Sequence, residues 1–77
     1  MGQSQTEILI GTAVRIVYEY PDWNKEYVFA TYDAFKQSGT RVDFDADVLY
    51  EFVLKAARLR KQDKKYAEVE KELAQEV

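Results

Sequence analysis

Cysteine and histidine are both absent from this chain of 77 residues. Without cysteine, neither a disulfide nor a thiolate metal site can reinforce the fold. Without histidine, the commonest nucleophile–base pairs and most zinc or haem sites are excluded as well. Glycine is confined to Gly2, Gly11 and Gly39, too few and too scattered for a glycine-rich phosphate loop. No apolar run approaches the roughly 18 residues that a membrane span needs. The N-terminus lacks the basic region and hydrophobic segment of a secretory leader. The expectation is a cytoplasmic, non-enzymatic chain that holds no metal or cofactor.

What is present argues for a folded domain. The apolar fraction is 47%, and ten tyrosines and phenylalanines accompany the single Trp23. Residues 1–77 read as one small domain. A core of that size supplies only about 3–5 kcal/mol of net stability, so self-association is a natural way to bury more area.

The clearest pattern lies between Ala46 and Lys65. Val48, Leu49, Phe52, Val53, Ala56 and Leu59 recur at spacings of three and four, which places them on one stripe of an α-helix. Glu51, Lys55 and Arg58 fall on the opposite side. Asp43, Asp45 and Asp47 stand where such a helix begins, and a short carboxylate there accepts from the first free N–H groups. The series also resembles the opening of an EF-hand loop, but that loop needs glycine and glutamate where Val48 and Leu54 stand. Capping is the better reading.

Phe52, Leu59, Tyr66 and Leu73 are spaced by sevens. They predict a self-association seam if the helix runs on to about Gln75. The polar residues that would complete the seam argue against a strict coiled coil. If instead the helix ends near Gln62 or Asp63, the basic residues around that end complement its negative pole. Residues 66–77 read as a polar helical tail.

Two fold classes compete for the first forty residues. In the favoured α+β reading, Val14–Tyr20 and Lys25–Tyr32 form an N-terminal β-hairpin packed on a long C-terminal helix. The turn is Pro21-Asp22-Trp23-Asn24. Tyr18 pairs with Tyr27, Ile16 with Phe29 and Val14 with Thr31. Asp33–Gly39 becomes a short helix, and Thr40–Phe44 a connector or brief third strand.

The alternative is an all-α bundle of three or four helices. One helix then starts at Thr6, carries Leu9, Ile10, Ala13, Val14, Ile16, Val17 and Tyr20 inward, and stops at Pro21. The next is capped by Asn24 and closed by Gly39, with Tyr27, Ala30, Thr31, Ala34 and Phe35 inward. Residues 1–5 read as a frayed N-terminus. Residues 1–6 also fit the short N-myristoylation pattern, but no basic cluster nearby supplies the second signal that stable anchoring needs. No membrane association is expected.

Charge is unevenly placed within a net −3. Residues 1–54 hold four basic and nine acidic side chains, residues 55–65 six and one, and residues 66–77 one and four. The band Lys55, Arg58, Arg60, Lys61, Lys64 and Lys65 could contact phosphate, in which case binding would be steeply salt-dependent. An acidic body and an acidic tail favour charge pairing within the chain or across a dimer instead. Tyr18, Tyr20, Trp23 and Tyr27 cluster near the turn and are candidate anchors for a protein partner. Glu19, Asp22 and Glu26 beside them would repel a nucleic-acid backbone.

The function expected is therefore a protein–protein interaction module that forms a homo-oligomer. Nucleic-acid binding through the basic band is the alternative, as is an acidic decoy for another protein's nucleic-acid site.

Overall fold

The computed structural model describes residues 5–76, and the myristoylation pattern at 1–6 lies largely outside them. Four helices follow in order: α1 (Gln5–Glu19), α2 (Lys25–Gln37), α3 (Ala46–Arg60) and α4 (Tyr66–Gln75). Among the described residues there is no strand. The expected β-hairpin is thus replaced by the all-α alternative.

The reason lies in both faces of the first segment. As a strand, it would set Ile8, Ile10, Val14 and Ile16 on one side and Leu9, Ala13 and Val17 on the other. Both faces are apolar, and a surface hairpin can bury only one. As a helix, Leu9, Ile10, Ala13, Val14, Ile16 and Val17 all reach the core. Burial of the complete set overrides the β preference of the branched residues. Gln5, expected to fray, is the first described residue of α1. Its side chain donates to the Arg41 carbonyl at 3.0 Å and accepts from the Asp43 N–H at 2.9 Å.

The proposed strand Lys25–Tyr32 and the proposed short helix Asp33–Gly39 together cover one element, α2. Asn24 caps it, accepting from the Tyr27 N–H at 2.8 Å. Gly39 has φ +81°, and the Thr40 N–H bonds back to the Phe35 carbonyl at 2.9 Å. That is the left-handed glycine closure of a helix. The inward face differs from the expected one. Val28 is fully buried with Phe29, Tyr32 and Phe35 partly buried, while Ala30 and Ala34 face solvent. Residues 40–44 form no strand, although their alternation is real: Val42 and Phe44 are buried while Arg41 and Asp43 are exposed.

α3 is the hub, packing against α1, α2 and α4, and α1 also packs against α4. Asp45 caps α3 through the Val48 N–H at 2.9 Å, and Leu49, Phe52, Val53 and Ala56 point into the core. The helix ends at Arg60. Asp63 then turns the chain in the left-handed region at φ +62°, which aspartate tolerates better than most residues. A straight continuation would carry Tyr66, Val69 and Leu73 beyond the core into water. The turn instead folds them back, and Val69 and Leu73 are fully buried. α4 is therefore a core element and not a polar tail.

Candidate functional site

Two features far apart in the sequence meet in one groove. After α1 stops ahead of Pro21, residues 20–24 carry Trp23 back against α3. The outward stripe of α3, spaced three and four, holds Leu54, Ala57 and Arg58 and leads to Lys61 just past the helix end. With Val17 and Arg60 these residues line an open groove of about 690 Å3. Its floor is apolar, through Trp23, Leu54 and Ala57, and its rim is cationic. Leu54 is 40% exposed, one of the few large hydrophobic side chains so open to solvent.

The basic band divides into structural and free members. Lys55 Nζ pairs with Glu76 at 3.3 Å, and Lys64 Nζ with Glu72 at 2.8 Å. The latter bond raises the Lys64 pKa, mainly through the hydrogen bond to Glu72. Arg60 donates from Nη1 to the Val17 carbonyl at 2.6 Å, and its guanidinium sits 5.1 Å from the centre of the Tyr18 ring. α1 has no basic residue in its last turn, so Arg60 supplies from α3 the cation that suits that helix end. Arg58 and Lys61 have no ion-pair or hydrogen-bonding side-chain partner among the described residues, and both face the groove. Lys65 stands just beyond, where its N–H donates to Glu68 at 3.4 Å.

The four aromatic candidates also divide. Trp23 belongs to the groove. Tyr18 is internal wiring: its hydroxyl donates to the Lys64 carbonyl and its ring meets Tyr66 edge-on at 5.4 Å. Tyr20 and Tyr27 are 40% and 37% exposed with their rings tilted at 5.3 Å, and together with Trp23 they line a small pocket beside the turn, separate from the groove. Burial, then proximity to Tyr20, raises the Tyr27 pKa.

The seam predicted from Phe52, Leu59, Tyr66 and Leu73 is not a continuous line. The chain turns between its second and third members. Phe52 and Leu73 are spent in the core, while Leu59 and Tyr66 pack on it partly buried.

Leu54, Ala57 and Val17 are groove residues that sequence reasoning missed. The available signal was Leu54, a leucine lying off the buried stripe of its own helix. Among the described residues no cluster of three or more acidic side chains is placed to hold a metal ion. No helix among them is long and apolar enough to cross a membrane. Comparison with known protein families, curated protein sequences and solved structures returned no match.

Proposed function

We propose that this chain is a non-enzymatic protein–protein interaction module of the cytoplasm. Its groove between Trp23 and α3 receives an acidic, apolar-anchored segment of a partner protein. The observation that carries this reading is the pair of unpaired cations, Arg58 and Lys61, bordering an apolar floor in a chain of net charge −3. An apolar anchor would cover Trp23 and Leu54, and carboxylates would meet the rim. Central aromatic contacts of this kind supply most of the energy of an interface, and rim charges supply specificity and encounter rate. The absence of histidine and cysteine supports a non-enzymatic role.

Nucleic acid is the weaker occupant. With Lys55, Lys64 and Arg60 engaged inside the chain, Arg58, Lys61 and Lys65 remain. Three phosphate contacts give a logarithmic salt slope of only about −2 to −3. The acidic-decoy reading has less support, because the exposed carboxylates are spread over all four helices and the turns between them.

Trp23 is the sole tryptophan, so its fluorescence reports occupancy of the groove. Titration with an amphipathic peptide bearing leucine and glutamate should shift the emission, and a lysine-bearing version should not. Leu54→Asp and Arg58→Glu should each weaken the binding, the central Leu54 change by about 2 kcal/mol or more. A response to single-stranded oligonucleotide but not to acidic peptide would overturn the reading in favour of nucleic acid.

A further inference from the structure

The outward face of α1 presents a second surface, on a different part of the molecule from the Trp23 groove. A shallow trough of about 450 Å3 runs along it. Gly11 and Thr12 form its floor, Phe35 of α2 and Tyr66 of α4 stand at its sides, and Glu7 and Arg15 lie along the same helix. Gly11 has no role inside the monomer. Its backbone is not left-handed, since Gly39 is the glycine with positive φ among the described residues. A side chain placed there would meet nothing within 4 Å. Glycine in mid-helix is unfavourable relative to alanine, and the reason for it is therefore sought outside the single chain, in close approach by another backbone.

The charges identify the approaching partner. Glu7 and Arg15 stand four residues either side of Gly11, on one ridge of the helix. A two-fold contact is self-complementary: residue i of one copy meets residue j of the other, and the reverse. Two α1 helices crossing antiparallel at Gly11 would set Glu7 of each copy against Arg15 of the other. Within the chain, Arg15 has an ion pair with Glu19 at 3.6 Å, between side chains 62% and 51% exposed, which holds it weakly. We propose that this face of α1 joins two copies of the chain in an antiparallel, two-fold dimer centred on Gly11.

The Trp23 groove does not suit that role, because a two-fold axis there would set Arg58 and Lys61 against their own copies. A standard stable interface buries about 800 Å2 per copy, roughly 15% of the 5271 Å2 surface. The proposal does not depend on the groove reading.

Sedimentation equilibrium of the full chain from micromolar to millimolar concentration tests it. The wild type should form dimers. Gly11→Gln should keep its helical circular dichroism and raise the dimer dissociation constant by about tenfold or more, since the change enters the interface twice. Arg15→Glu and Glu7→Arg should each sediment as monomers alone and associate when mixed. Trp23→Ala should leave the dimer intact, which separates this interface from the groove. A wild type that stays monomeric at millimolar concentration would overturn the proposal. So would a dimer indifferent to Gly11→Gln whose two charge variants gain nothing on mixing. If Gly11→Gln fails to fold, the mixing experiment decides alone.

Discussion

Arg58 and Arg60 are two residues apart and face different tasks. Arg60 satisfies the Val17 carbonyl at the end of α1, and a charge-assisted bond of this kind, partly open to water, contributes about 1–2 kcal/mol. Arg60→Met should lower unfolding stability by about that amount. Arg58→Met should leave it within about 0.5 kcal/mol, as expected for a surface side chain without partners. Paired urea titrations check the contrast, and equal losses would remove the division of the basic band.

A second expectation at this scale concerns alkaline pH. Burial raises the Tyr66 phenol above its ordinary 10.0, and nearby Glu70 and Glu19 add to the shift. Lys64 is raised above 10.5 by Glu72. Both groups hold their protons more tightly folded than unfolded. Their contribution is therefore complete below the unfolded pKa and lost as pH rises through the folded one. Stability should fall above about pH 10, and Tyr66→Phe should flatten part of that fall in denaturant titrations followed against pH.

At the scale of the element, the two described glycines predict opposite outcomes. Gly39 closes α2 at φ +81°, where an alanine Cβ is strained, so Gly39→Ala should destabilise by about 1 kcal/mol. Gly11 sits mid-helix with open space at its Cβ, so Gly11→Ala should stabilise the monomer by about 0.5–1 kcal/mol. Thermal melts at low concentration, where association is absent, read both.

The same scale shows what was legible in advance. Asn24, Gly39, Pro21 and Asp45 each mark a helix boundary that the structure honours, because capping chemistry acts over three or four residues. The secondary structure between the first boundaries was misread. Val14–Tyr20 is rich in branched and aromatic side chains whose local strand preference points to a hairpin, and the apolarity of Leu9, Ala13 and Val17 on the opposite face outweighs it. The break after Arg60 matches the ending near Gln62 or Asp63 that the sequence leaves open beside a longer helix, but local chemistry does not choose between the two. The break arises because Val69 and Leu73 must return to the core, a requirement that no local signal records.

For the whole molecule, stability rests on a small core centred on α3. Leu49 is fully buried there. Leu49→Ala should cost about 2–5 kcal/mol, comparable to everything that a domain of this size has to lose. Circular dichroism at room temperature should show that variant largely unfolded, with loss of helix throughout the chain.

The sequence by itself determined composition-level exclusions, the buried stripe of α3, most helix caps and the presence of both Trp23 and a basic band. These depend on residues within a few positions of one another or on simple counting. Only the tertiary structure decided that the first forty residues are helical, since that choice turns on how many apolar faces find cover. It alone separated the cations held by Glu72, Glu76 and Val17 from those left free. It also brought Trp23 beside Leu54, Arg58 and Lys61, because adjacency across distant segments is set by how α1 and the following turn pack on α3, and no spacing in the sequence encodes that distance.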